Sequence, residues 1–147
     1  MKSIDAWFAA YATCHRHPGN LAIHQVAVPG IYLSVIGLLQ ALPAPVGAGW
    51  GALIAIPVLL FYLRLSFSLC VGMALFTAAG LWLWQGMAAV SPIWPWALTL
   101  FVLLWLAQFI GHRWEGRRPA FFTDLQFLLI GPLWVLAGLY RRLRIPY

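Results

Sequence analysis

Residues 50–85 read WGALIAIPVLLFYLRLSFSLCVGMALFTAAGLWLWQ, an apolar run in which Arg64 is the only charged side chain. A single helix of this length, rising ~1.5 Å per residue, would measure ~54 Å, whereas the hydrocarbon core of a bilayer is ~30 Å thick. We therefore divide the run at Arg64 into two predicted transmembrane helices, residues 50–63 and 66–85. The first of these is short and contains Pro57, so whether it crosses the bilayer completely stays open.

The composition of the whole chain indicates an integral membrane protein. Of its 147 residues, 63% are hydrophobic and 8% are charged, against about 45–50% and about 25% in soluble domains. The length suits one membrane domain, residues 1–147. A net charge of +6 would suggest nucleic acid as a partner of a soluble protein, but here the basic residues flank apolar runs. They therefore indicate membrane topology and contact with membrane lipids, and no nucleic-acid partner is predicted.

Apolar segments outside the central run complete the predicted fold. Two of them, residues 21–42 and 96–111, are predicted transmembrane helices, and Asn20 is suited to capping the first. Residues 3–14 predict an amphipathic helix whose aromatic face suits the membrane surface. Residues 125–139 are too few for a full crossing and are broken at Gly131 and Pro132, which is typical of a re-entrant or interfacial segment.

The predicted fold class is therefore an all-α integral membrane protein. It consists of a small bundle of about four transmembrane helices, an N-terminal interfacial helix and a C-terminal re-entrant or interfacial segment. The loops at residues 43–49 and 86–95 carry no charge, so every charge falls on the opposite side of this bundle. The positive-inside rule then predicts that both termini lie on the cytoplasmic side, and the expected membrane is a bacterial inner membrane. All four histidines lie at that cytoplasmic boundary.

These histidines are the first candidates for chemistry, because an ionisable side chain at a membrane is costly without a partner. Neutral imidazole is the commonest metal ligand among side chains. Mixed histidine and carboxylate ligation with open positions suits non-haem Fe(II) and O2, although zinc, copper and nickel stay open. Without a metal, the same histidines would be interfacial or hydrogen-bonded residues. The candidate metal ligands are His15, His17, His24 and His112.

Several other polar residues are candidates for supporting roles. Glu115 lies three residues after His112 and so shares its helix face, although an ion pair with Arg118 is equally compatible with the spacing. The Asn20 amide could orient a histidine. A cluster of arginines could bind a substrate carboxylate bidentately, and contact with lipid phosphate is the alternative. This cluster consists of Arg113, Arg117 and Arg118.

Together these residues resemble the motifs of the Mpo-like family of small membrane proteins. The resemblance extends from about residue 5 to residue 140. The first motif is His15-x-x-Pro18-x-Asn20-x-x-x-His24, followed by Val28-Pro29. The second is Gln108-Phe109-x-Gly111-His112-x-x-Glu115-x-x-x-Pro119-Ala120, followed by Gly131-Pro132. His17 lies outside the motif, so we rank it below the other three histidines as a ligand.

The resemblance implies an Fe(II)-dependent dioxygenase that acts on 2-hydroxy fatty acids, as in phytosphingosine breakdown. The partners would then be O2, a 2-hydroxy fatty acid and membrane lipids, and the product would be a fatty acid one carbon shorter. It further implies that His15, His24 and His112 hold the iron, with Glu115 as a hydrogen-bond acceptor for an imidazole or as a fourth ligand. The alternative is a non-enzymatic membrane protein that binds a structural or transported metal ion, or a lipid. A di-iron hydroxylase is a weaker alternative, because four histidines are too few.

Overall fold

The computed structural model describes residues 2–44, 47–122 and 124–147, and these contain helices and no strands. Residues 45 and 46 of the predicted uncharged loop lie outside the described part. A 3₁₀ turn, Ala120–Phe122, precedes the last helix. The helices are α1 (Ile4–Ala12), α2 (Pro18–Gln40), α3 (Gly49–Leu63), α4 (Phe67–Ala88), α5 (Ile93–Glu115) and α6 (Phe127–Leu143).

Three of these helices, α2, α4 and α5, are long and apolar enough to cross a membrane, and α3 is a shorter apolar helix of 15 residues. The all-α prediction is therefore confirmed, and the protein is compatible with an integral membrane location. The apolar run of residues 50–85 forms two helices that meet at Arg64. The hydroxyl of Ser66 accepts a hydrogen bond from the backbone N–H of Leu69, 3.2 Å away, and so caps α4.

Helix α2 begins earlier than the sequence suggests, and the prediction that Asn20 caps it is wrong. The cap is His17, whose Nδ1 accepts a hydrogen bond from the backbone N–H of Gly19 at 3.2 Å. Pro18 then occupies the first helical position, which tolerates proline because no intrahelical N–H is needed there. As a result Asn20 lies inside the first turn, where it is completely buried.

The two terminal helices pack against each other. The aromatic side chains of α1 contact α6, with ring centroids 5.2 Å apart for Trp7 and Phe127 and 5.4 Å apart for Tyr11 and Trp134. The aromatic face of α1 is thus buried in the protein, which corrects the expectation that this face lies at the membrane surface. Burial against α6 removes more apolar area from water than a surface position would.

Helix α6 continues through Pro132, so the break predicted at this residue is wrong. An internal proline removes one backbone hydrogen bond and usually kinks or breaks a helix. Here the whole turn around it is buried among α1, α2 and α4, since Ile130 and Leu133 have no exposed surface. Apolar packing around the turn offsets the lost hydrogen bond.

The antiparallel pair α2 and α5 forms the most extensive helix contact in the structure. A Cβ atom on Gly111 would lie 2.5 Å from the Oδ1 atom of Asn20, and a Cβ on Gly30 would collide with Leu104. Glycine therefore allows the two helices to approach closely at both positions. These two contacts also give the register, which brings the end of α5 beside the beginning of α2.

Candidate metal centre

Three histidines from distant parts of the chain meet at one end of the α2–α5 pair. His15 follows α1, His24 lies on α2 and His112 lies on α5, and all three are at most 5% exposed. Each offers a ring nitrogen, and these three atoms lie within 4.8 Å of one another. This geometry is compact enough for one ion to contact all three rings.

The backbone orients two of the three imidazole rings. The Nδ1 atom of His15 lies 2.6 Å from the carbonyl oxygen of Tyr11, and the Nδ1 atom of His24 lies 2.9 Å from that of Asn20. A carbonyl oxygen can only accept, so each Nδ1 carries the proton and donates it. In both neutral rings the Nε2 atom is then the one with a free lone pair, as is usual for metal-binding histidines.

These free lone pairs point at each other. The two Nε2 atoms of His15 and His24 are 2.9 Å apart, and neither carries a proton to donate. Burial lowers the pKa of His15 below its usual value, so a shared proton is disfavoured at neutral pH. The buried Nδ1 atom of His112 also lacks a hydrogen-bond partner among the described residues. A metal cation would satisfy all three rings, so the donor set fits a bound metal.

The chemistry of the donors narrows the kind of ion. Neutral imidazoles suit zinc, copper, iron and nickel, whereas magnesium and calcium prefer oxygen ligands. Three protein ligands also leave positions open for an exogenous ligand. The arrangement is therefore suited to a transition metal that binds a substrate as well as the protein.

Glu115 joins the end of α5 to the turn before α2. Its carboxylate accepts hydrogen bonds from the backbone N–H groups of Arg16, at 2.9 and 3.0 Å, and of His17, at 2.8 Å. Within the described part of the chain it has no hydrogen bond to an imidazole and no ion pair with Arg118. The expected contact with an imidazole ring is therefore not the one found, and Glu115 instead holds the turn that begins with His15.

Asn20 connects this carboxylate to the histidines. Its side-chain Nδ2 donates to Glu115 at 3.1 Å and to the carbonyl oxygen of Cys14 at 3.3 Å. Its own backbone carbonyl, rather than its amide, receives the proton of His24. The buried Asn20 thus links the turn that carries His15 to the helix that carries His24.

The structure does not bring the remaining candidates into the site. His17 is exposed, its ring lies near Trp114, and it is not part of the three-histidine group. The predicted arginine cluster is exposed as well and does not line the cavity described below. One of its members, Arg117, donates to the carbonyl oxygen of Thr13 at 3.4 Å.

An apolar cavity of about 450 Å³ opens beside the three histidines. It follows α2 from His24 to Leu39, a distance of ~22 Å at ~1.5 Å per residue, and reaches Gly51 on α3. Spacing along the chain does not reveal this cavity, since its wall combines residues from five helices. The apolar part of the wall includes Val28, Ile31, Val35, Leu39, Ile54 and Ala55.

Comparison with known proteins adds two matches. The family described as "2-hydroxy-palmitic acid dioxygenase Mpo1-like" matches residues 1–143. The chain is 30% identical over 134 residues to the 2-hydroxy-palmitic acid dioxygenase MPO1 of Saccharomyces cerevisiae, which covers 86% of this chain and 73% of the yeast protein. No solved structure matches the chain.

Proposed function

The chain belongs to the Mpo1-like family, and on this premise we propose that it is an Fe(II)-dependent dioxygenase of 2-hydroxy fatty acids. The reaction is an α-oxidation: a 2-hydroxy fatty acid and O2 give a fatty acid one carbon shorter, CO2 and water. The observation that carries the proposal is the group of His15, His24 and His112 at one end of an apolar cavity. The yeast relative is named for the same substrate class.

The three histidines would hold the iron through nitrogen atoms that the protein leaves free. When bound, Fe(II) would supply a binding position for O2 and Lewis-acid activation of the hydroxy acid. The protein's own contribution is orientation, because the carbonyl oxygens of Tyr11 and Asn20 hold two of the rings in the ligating tautomer. Burial of these rings keeps them neutral and keeps bulk water away from the reacting groups.

The cavity supports a substrate with a long hydrocarbon chain. One leaflet of a bilayer contributes about half of the ~30 Å hydrocarbon core, so a membrane fatty acyl chain spans ~15 Å. The ~22 Å between His24 and Leu39 accommodates a chain of that length. With the polar head of the substrate at the histidines, the chain would lie along α2 between α3 and α5.

The exposed arginines are better suited to the membrane than to the substrate. Arg113, Arg117 and Arg118 lie outside the cavity, at the end of α5. Basic side chains at this position attract anionic lipid headgroups. We assign them this role, and with the positive-inside rule they favour a cytoplasmic position for the histidine end of the bundle.

The test is metal analysis followed by a product assay. Protein purified without oxygen should contain iron, and on addition of 2-hydroxypalmitate it should consume O2 and release CO2 and the fatty acid one carbon shorter. Palmitate, which lacks the hydroxyl, is the control substrate and should not be consumed. Stoichiometric zinc together with no O2 consumption would instead favour a non-enzymatic protein that binds a structural or transported metal.

A further inference from the structure

Gln108 is a buried polar residue in the wall of the cavity. It lies on α5, is 8% exposed and forms part of the cavity wall. Its side chain makes no hydrogen bond with any residue in the described part of the chain. An amide with no partner in the protein destabilises the fold unless water or a ligand in the cavity satisfies its hydrogen bonds. Residue 108 is therefore expected to find its partner in the cavity.

The position of Gln108 places this amide close to the histidines. It precedes His112 by four residues and so lies on the same face of α5. The contacts of Gly111 with Asn20 and of Gly30 with Leu104 give the antiparallel register of α5 and α2. In this register Gln108 is level with the turn of α2 that carries His24, at the polar end of the cavity and not beside its acyl-binding part.

A second unpaired donor lies on the same helix face. The indole Nε1 of Trp105 is buried and has no hydrogen-bond partner among the described residues, and Trp105 also contributes to the cavity wall. Its spacing of three residues from Gln108 makes the two side chains neighbours on α5. The α5 side of the cavity thus combines the Gln108 amide with Trp105, whose N–H is itself buried, in a wall that is otherwise largely apolar.

We propose that Gln108 binds the oxygen atoms of the substrate headgroup and selects 2-hydroxy acids over fatty acids that lack the hydroxyl. The amide oxygen accepts the proton of the 2-hydroxyl group, and the amide N–H donates to a carboxylate oxygen. The identity of the headgroup rests on the proposed function, whereas the presence of an unpaired amide in the cavity does not.

The selectivity follows from the cost of an unpaired polar group. A site that hydrogen-bonds a substrate hydroxyl rejects the analogue without it, because the buried partner is then left without a hydrogen bond. Bound palmitate would leave the Gln108 amide oxygen without a hydrogen-bond donor, whereas the hydroxyl of bound 2-hydroxypalmitate would supply one. Gln108 is a substrate-positioning residue in this proposal and not a metal ligand, so its loss should leave the metal in place.

The experiment compares Gln108→Met with Gln85→Met. Methionine is close to glutamine in size and shape but lacks the amide, and Gln85 is an exposed glutamine on α4, outside the cavity. Binding of 2-hydroxypalmitate and of palmitate to the metal-loaded protein is measured by competition, together with metal content. Gln108→Met should reduce the preference for 2-hydroxypalmitate by about tenfold, the value of one hydrogen bond, with unchanged metal content. Gln85→Met should keep the preference of the unmodified protein.

Other outcomes separate this proposal from the function on which it rests. An unchanged preference in a folded Gln108→Met protein overturns the role of Gln108, even if the enzyme oxidises 2-hydroxypalmitate. Absence of oxidation in the unmodified protein overturns the proposed function, but the binding preference can still be measured. If Gln108→Met does not fold, Gln108→Asn provides the test, because asparagine keeps the amide but is shorter by one methylene, so the amide lies farther from the substrate headgroup. If Gln108→Asn keeps the same preference for 2-hydroxypalmitate over palmitate as the unmodified protein, the proposal is contradicted.

Discussion

His15 and His24 face each other through their Nε2 atoms at 2.9 Å, although each ring already donates its Nδ1 proton to a carbonyl oxygen four residues earlier in the chain. Two unprotonated nitrogen atoms at this separation repel each other unless a cation lies beside them. The backbone thus holds both rings in the orientation that a shared metal ligand set would require. Such an arrangement would lower the entropic cost of binding a metal.

Removal of a single ligand should release the metal. His24→Ala and His112→Ala each leave two imidazoles, which is too few to hold a transition metal against the aqueous medium. We expect both variants to lose bound metal and turnover, as measured by elemental analysis and O2 consumption. His17→Ala is the control, because His17 is exposed and outside the group. Full metal content in His24→Ala or His112→Ala would contradict the assignment.

Replacement of Glu115 should weaken the metal site without removing a ligand. Glu115→Ala leaves the backbone N–H groups of Arg16 and His17 without their acceptor, so the turn beside His15 loses its anchor. We expect a loss of about 1–3 kcal/mol in the free energy of unfolding and a ~10- to 100-fold weaker metal affinity. Thermal unfolding and metal titration measure the two effects. Arg118→Ala is a neighbouring control that should change neither.

Gly111 should tolerate no side chain. A Cβ atom at this position would meet Oδ1 of Asn20 at 2.5 Å, so Gly111→Ala must displace the buried Asn20 side chain or separate α5 from α2. We expect destabilisation by about 1–3 kcal/mol, as for overpacked cores, and a lower metal affinity. The matched control is Gly86→Ala on α4, where a Cβ meets nothing within 4 Å. There alanine should be neutral or stabilising by about 0.5–1 kcal/mol. Equal stabilities of the two variants would argue against the close helix contact.

A larger residue in the far part of the cavity should shorten the preferred substrate. Ala55 lies on α3 in the cavity wall, one helical turn after Gly51, whose neighbours on α2 are Ile36 and Gln40 and not the turn that carries His24. Ala55→Leu should reduce turnover of 2-hydroxypalmitate more than that of a 2-hydroxy acid with about ten carbons, because the longer chain must pass this point. Turnover across a series of chain lengths measures the effect. Ala79→Leu, on the exposed side of α4, should leave the chain-length profile unchanged.

Much of the helical arrangement is readable from local sequence. The charge of Arg64 inside an otherwise apolar run predicts the division between α3 and α4, because a bilayer limits the length of a helix. The scarcity of polar residues also makes the histidines conspicuous, and the motif around His15, His24 and His112 distinguishes them from His17. The first two conclusions depend on composition and spacing along the chain, and the last depends on the resemblance to a family motif, so none of them needs knowledge of tertiary contacts.

Contacts between distant segments decided the rest. The Glu115 carboxylate accepts hydrogen bonds from backbone amides 98 and 99 residues earlier in the chain. No local pattern reveals that its oxygen atoms face a turn and not an imidazole. Helix α6 continues through Pro132 because three other helices bury this turn, and the aromatic face of α1 is covered by α6 in the same way. The proposed role of Gln108 in substrate binding also depends on tertiary structure, because the cavity that this residue lines is formed by several helices. Hydropathy and helix propensity are local properties of a chain, whereas the partner of each polar group is chosen by packing between segments.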